Sequence, residues 1–168
     1  MGSPVFFKQK RSGLKVKTFT LYKFRTMIDK RDASGALLPD DERLTWLGNL
    51  LRKTSLDELP QVFNILKGDM SVVGPRPFIE ELAPYYTEEE MRRYDVRPGL
   101  TGLAQVNGRN NISWGEKFKW DLKYVDNITF CGDVVIILKT VGELFRNNNE
   151  PSKESVLESF LNSRKNKS

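Results

Sequence analysis

Asp57 and Glu58 stand side by side in SLDELPQVFNILKG (Ser55–Gly68), and in a 168-residue chain with no histidine they lead the candidates for chemistry. Without imidazole there is no Ser-His-Asp triad, Cys-His pair or His-rich zinc site. Catalysis here must use carboxylates, Lys, Arg, Tyr or a metal held by oxygen. Leu59, Val62, Phe63 and Leu66 recur at helical spacing and Gly68 is a C′ stop, so the pair falls in the first turn of a predicted helix. Pro60 admits two starts. With Asp57 as N-cap it sits at N3, where its missing N–H costs nothing; with Ser55 as cap, Ser55 and Glu58 form a capping box but Pro60 forfeits a bond. The first is favoured. A helix N-terminus stabilises a carboxylate by about 0.3–1 kcal/mol. That favours ionised Asp57, the state of a nucleophile or a metal ligand. The plainer reading is an acidic helix start. Adjacent helical residues point about 100° apart, so the two can flank one small site without making the opposed carboxyl pair of a glycosidase.

Cations recur at the ends of elements: Arg25, Arg52, Arg76, Arg97 and Arg109 each occupy or adjoin one. Arg76 is distinctive because Gly74-Pro75-Arg76-Pro77 locks the backbone on both sides, and a fixed guanidinium binds phosphate oxygens with little ordering entropy. Taken singly, any of these arginines is as readily a solvated surface residue. Lys23 and Arg25 alternate along a predicted strand and so project to one face, where they could clamp one anion. Arg97-Pro98-Gly99 with Thr101-Gly102 places backbone amides beside a cation. Asp121, among aromatics, and Asp133, heading an apolar helix, could support a site; Asp133 is more simply an N-cap.

The elements that must position these residues read as α+β, mainly helical, in one domain with a small β-hairpin. Pro4–Gln9 and Lys17–Arg25 flank a Lys-Arg-Ser-Gly turn, a hairpin pattern. Asp29–Asp41 is a polar loop. Arg43–Lys53 carries Leu44, Leu47, Leu50 and Leu51 on one helical face. Val72–Pro77 is a strand entering a rigid turn, Arg97–Gly102 a turn, and Leu103–Gly108 a short strand. Thr87 with Glu90 and Ser113 with Glu116 are capping boxes, the second opening a helix lined by Trp114, Phe118, Leu122 and Val125. Asp133–Phe145 is an apolar helix. Residues 1–146 form the main domain, and 147–168 a linker with a short helix in a basic, fraying tail. Several helices pair an apolar face with Lys and Arg flanks, as interfacial helices do; those faces equally suit a core.

Lys plus Arg exceed Asp plus Glu by 27 to 22, a charge of +5 that suits an anionic partner. The lone Cys131 excludes an internal disulfide. No run approaches the roughly 18 apolar residues of a spanning helix, and no secretory signal is visible. No nucleic-acid-binding motif is present, and an acidic dyad would repel phosphates unless a metal intervened.

Together, YKFRTM (Tyr22–Met27), LRKTSLDELPQ (Leu51–Gln61), LKGDMSVVGPRP (Leu66–Pro77), RPGLTGLAQVNGRN (Arg97–Asn110) and KFKWDLKYVDN (Lys117–Asn127) resemble the bacterial sugar transferase family, the monotopic polyprenol-phosphate phosphoglycosyl transferases. The resemblance runs from about Gly2 to about Thr140, in the family's order and spacing. It implies transfer of a sugar 1-phosphate from a UDP-sugar to undecaprenyl phosphate with release of UMP. This would occur at the cytoplasmic face of the bacterial inner membrane and start capsule, exopolysaccharide or glycoprotein-glycan assembly. It further implies Mg²⁺ at Asp57 and Glu58, with Asp57 as the nucleophile that forms a phosphosugar intermediate. Glu58 would hold the metal or orient Asp57. Lys23, Arg25, Arg52, Arg76, Asp121 and Asp133 are implied as substrate-side residues. Family members carry an apolar re-entrant membrane helix just before the segment matching Gly2-Ser3-Pro4, where this sequence starts, so a catalytic part without that anchor is expected. An inactive relative acting as a membrane-surface scaffold is the alternative.

Overall fold

The computed structural model describes residues 3–108, 112–144 and 156–165. Strand β1 (Phe6–Ser12) pairs antiparallel with β2 (Thr18–Phe24), Lys23 lying opposite Phe7. Pairing continues to Ser12 opposite Thr18, so the predicted Lys-Arg-Ser-Gly turn is mostly strand; the chain reverses through a 3₁₀ turn at Leu14–Val16 instead. Phe19 and Leu21 point inward from β2 and pack with Met70 and Ile65.

The end of the predicted loop forms the short helix α1 (Asp40–Arg43), and the predicted Arg43–Lys53 helix is shortened to α2 (Trp46–Lys53). The break lies at Thr45, whose hydroxyl caps α2 by accepting from the Gly48 amide at 2.9 Å. Helix α2 turns Gly48 inward, so tightly that a Cβ there would lie 1.9 Å from the Thr26 carbonyl oxygen. Leu47 and Leu50 are thereby exposed, and Trp46 is 81% exposed.

Ser55–Gly68 is a 3₁₀ turn (Leu56–Gln61) leading into α3 (Val62–Leu66). The favoured start at Asp57 does not occur: the turn begins after Ser55, the other candidate, but without its capping box. Ser55 takes a left-handed conformation (φ 57°) and its side chain caps nothing, the Glu58 amide donating to the Ser55 carbonyl instead, while the Glu58 carboxylate that would complete the box is drawn to Lys23 and Arg76. Gly68 does stop the helix, at φ +79°. The apolar positions Leu59, Val62, Phe63 and Leu66 face outward, whereas Gln61 and Asn64 are buried. Asn64 accepts from Tyr22 N (3.2 Å) and donates to Thr20 O (2.7 Å), satisfying the edge of β2 that β1 leaves open.

Strand β3 (Ser71–Val73) runs parallel to β4 (Gly99–Thr101), a strand in the segment read as a turn. The glycines that suggested a turn serve close approach: a Cβ on Gly99 would lie 2.1 Å from Gly74 N. A parallel pair needs a long crossover, supplied here by a 3₁₀ segment (Glu80–Tyr85), α4 (Glu88–Met91) with its Thr87–Glu90 capping box, and a second 3₁₀ turn (Arg92–Asp95). Leu103–Val106, read as strand, is the short helix α5; its Leu103 and Val106 pack on Val73, Tyr124 and Ile136. Helix α6 (Trp114–Asp126) opens with the expected Ser113–Glu116 box and buries Trp114, Phe118, Asp121 and Tyr124. Helix α7 (Phe130–Leu144) starts upstream of Asp133; Thr129 accepts from the Gly132 amide, so Asp133 is no N-cap. Helix α8 (Val156–Lys165) docks through Phe160, fully buried with Phe78, Leu82, Trp114 and Phe118. The architecture is the expected α+β, mainly helical, with two small two-stranded sheets among the described residues. Among the described residues no helix is long and apolar enough to cross a membrane.

Candidate active site

Three elements bring charge to one place. The 3₁₀ turn supplies Asp57 and Glu58, the end of β2 supplies Lys23, and the turn after β3 supplies Arg76. Lys23 Nζ lies 2.7 Å from Glu58 Oε1 and 3.9 Å from Asp57 Oδ2. Arg76 forks onto Glu58, with Nη2 on Oε1 and Nη1 3.4 Å from Oε2. The Arg76 side chain remains 41% exposed, so it can meet a ligand as well as Glu58. Arg52, in the last turn of α2, is held by a bond from Nε to Thr26 Oγ1 (3.1 Å), and its charge reaches Asp57. Three cations thus surround two carboxylates, an excess of positive charge suited to a further anion.

The carboxylates are driven apart. Burial would push the Glu58 carboxyl up, but Arg76 and Lys23 together hold it far below the usual carboxylate range. Asp57 is displaced upward by burial, with Glu58 adding to the rise and Lys23, Arg52 and Arg76 opposing it. This reverses the expectation from the helix dipole. The turn is a short 3₁₀ segment and Asp57 is 8% exposed, so desolvation outweighs the dipole. Burial, with Arg76 nearby, lowers Lys23, while the charge of Glu58 raises Arg76.

The other expected residues lie elsewhere. Arg25, just beyond β2, turns to Asp29 (3.4 Å) and does not join Lys23 in a clamp. Asp121 is 2% exposed and paired to Arg93, so no ligand reaches it directly. Asp133 accepts from the Tyr124 hydroxyl at 2.9 Å, beside the Val73–Ile136 cluster. Arg97 donates to Gly68 O (2.8 Å), and the amides of Gly74 and Gly99 are spent on carbonyls of Thr101 and Pro75. Arg109 lies outside the described residues. Sequence reasoning missed Arg93, Asn64 and Thr26, whose bonds to Arg76, Thr20 and Arg52 reach 17 or more residues along the chain with no local pattern to mark them.

A site built this way suits a phosphate-bearing ligand. The profile of the family described as bacterial sugar transferase matches residues 1–147. The chain belongs to the bacterial sugar transferase family. Among curated relatives it is 60% identical over 141 residues to the uncharacterized sugar transferase EpsL of Bacillus subtilis, covering 84% of this chain and 70% of EpsL. It is 38% identical over 162 residues to the undecaprenyl-phosphate galactose phosphotransferase of Salmonella typhimurium, covering 86% of this chain and 34% of that relative. The UDP-glucose:undecaprenyl-phosphate glucose-1-phosphate transferase of Caulobacter vibrioides is 38% identical over 156 residues, covering 87% of this chain and 58% of its own length. As a bacterial sugar transferase with relatives of these kinds, the chain is a phosphoglycosyl transferase.

The family's expected Mg²⁺ can be tested against the donors present. Among the described residues no cluster of three or more His, Cys, Asp or Glu side chains exists. Mg²⁺ does not require one: it commonly takes one or two carboxylates and completes its shell with water and substrate phosphates. Glu58 spends both oxygens on Arg76 and Lys23, whereas the Asp57 carboxylate accepts no hydrogen bond from the described residues and lies 3.9 Å from its cation. The donor set therefore fits Mg²⁺, which the Asp57 carboxylate would hold beside a Glu58 already engaged by Lys23 and Arg76.

Proposed function

We propose that this transferase moves a sugar 1-phosphate from a UDP-sugar to undecaprenyl phosphate through a phosphosugar intermediate on Asp57. The observation that carries the reading is the contrast between the carboxylates. Glu58 is neutralised by two cations, while Asp57 keeps its oxygens unbonded in a pocket of positive charge. An Asp57 oxygen attacks the sugar-bearing phosphorus, the bond from that phosphorus to the bridging oxygen breaks, and UMP leaves with the electron pair. A phosphate oxygen of the acceptor then attacks the same phosphorus. The bond to Asp57 breaks, giving the lipid-linked diphosphate sugar and the free carboxylate. Neither step needs a proton removed from the nucleophile, which suits a chain without histidine. Lys23, Arg52 and Arg76 offset the diphosphate charge that would repel the attack. Glu58 orients this set by holding Lys23 beside Asp57. Asp57 would hold Mg²⁺, which would supply further charge neutralisation for the diphosphate.

The same segment supports an acceptor presented at a membrane surface. Trp46, Leu47 and Leu50 of α2, Leu56 and Leu59 of the 3₁₀ turn, and Val62, Phe63 and Leu66 of α3 are all exposed. Apolar side chains left in solvent around the dyad suit contact with the cytoplasmic membrane surface.

The test is mass spectrometry of the protein incubated with Mg²⁺ and a panel of UDP-sugars. A sugar-phosphate adduct on Asp57 with stoichiometric UMP is expected, and Asp57→Asn should show neither. Absence of both adduct and UMP with every donor, including in a form carrying the family's membrane helix and supplied with lipid acceptor, would refute the reading.

A further inference from the structure

Beneath the Arg76 turn lies a buried ion pair that the dyad does not touch. Arg93 and Asp121 are each 2% exposed. Arg93 reaches one oxygen, Asp121 Oδ2, with Nε at 3.0 Å and Nη2 at 2.7 Å. The same Nη2 donates to the Arg76 carbonyl at 2.7 Å, and the guanidinium lies 4.0 Å from the centre of the Phe78 ring. Arg76 in turn forks onto Glu58, so one chain of bonds joins α6, the Arg92–Asp95 turn, the Pro75–Pro77 turn and the dyad.

Taking two charges out of water costs more than a plain apolar contact would, so this pair is a poor way to fill space. What it adds is direction: a rigid, planar donor aimed at one carbonyl. That carbonyl belongs to a residue followed by proline, whose backbone is already confined to the extended region. With the peptide plane also held, the root of the Arg76 side chain has little freedom, and its guanidinium stays over Glu58. We infer that Arg93 and Asp121 are positioning residues for phosphoglycosyl transfer, acting through the Arg76 carbonyl to keep the Arg76 guanidinium preorganised at the dyad. The inference rests on the reaction proposed above.

Arg93→Lys tests it, because lysine keeps the charge beside Asp121 but lacks the fork that serves both acceptors. Two readings are needed. In ¹⁵N spectra the Arg76 Nη–H signals, which report the bonds to Glu58 and are assigned by their loss in Arg76→Lys, should be resolved in the parent protein and averaged in Arg93→Lys. UMP release from the accepted UDP-sugar should fall about tenfold to a hundredfold, and that loss should largely vanish when the change is made in an Arg76→Lys background. A merely structural pair would give losses that add. Should Arg93→Lys not fold, Asp121→Asn, which keeps an acceptor for Arg93, is expected to show both effects in weaker form. An unchanged Arg76 signal, unchanged turnover, or additive losses overturn the inference. Failure of the parent protein to turn over any UDP-sugar sinks the proposed reaction instead, and the Arg76 signal alone then decides whether the pair positions that arginine.

Discussion

Asp57 and Glu58 share a turn and a largely buried environment, yet they should respond to neutralisation in opposite directions. Asp57 has its proton affinity raised, so its ionised form costs stability above the folded-state pKa. Asp57→Asn should therefore stabilise the protein at neutral pH by about 0.5–2 kcal/mol while abolishing the adduct. Glu58 has its affinity lowered, contributing stability above its unfolded pKa that disappears as pH falls through the folded one. Glu58→Gln should destabilise by about 1–3 kcal/mol, less than a fully buried pair because Arg76 is part exposed. Denaturant titration of the two variants checks both signs, and destabilisation by Asp57→Asn would contradict the burial argument. In the absence of Mg²⁺ the raised pKa keeps Asp57 protonated to higher pH than a free aspartate, and a cation held by that carboxylate would oppose the rise. Arg52 and Arg76 were legible in the sequence as cations at element ends, and Lys23 as a cation on one face of a strand. The direction of the Asp57 shift was not, because a dipole is local whereas burial is set by segments distant in the chain. Arg93 was invisible for the same reason.

At the scale of elements, helical periodicity was legible but its facing was not. Leu59, Val62, Phe63 and Leu66 repeat as a core stripe would, yet Asn64 and Gln61 are the inward residues, because the open edge of β2 needs hydrogen-bond partners more than it needs apolar contact. Capping boxes at Thr87 and Ser113 were read correctly, since a cap is decided within four residues. Segments rich in Gly and Pro misled: Gly99–Thr101 reads as a turn until its pairing with Ser71–Val73 is known. The outward face predicts membrane behaviour. Phe63→Ser with Leu66→Ser should weaken co-sedimentation with anionic phospholipid vesicles by about tenfold or more, with the melting temperature unchanged because both side chains are exposed. Equal sedimentation of variant and parent would argue that this face meets something other than lipid.

At the scale of the molecule, the described residues pack into three separate apolar clusters, and α8 closes one of them from the far end of the sequence. Phe160 meets Trp114 edge-on with ring centres 5.1 Å apart, and Phe118 at 6.3 Å. Phe160→Ala should cost about 3–5 kcal/mol, measured by thermal or chemical unfolding; a cost below 1 kcal/mol would mean α8 is dispensable to the core. The short helix was expected, but its docking was not, because a basic tail with one buried aromatic looks from sequence like a tail.

The bonds that assemble the dyad span 35 residues from Lys23 to Glu58 and 18 from Arg76 to Glu58, with the supporting pair spanning 28. Helices and turns form from neighbours, but this arrangement exists only once distant segments have met. Adduct formation during refolding would accordingly count finished molecules, where circular dichroism counts helical ones, and the lag between the two signals would time the last closure of the chain.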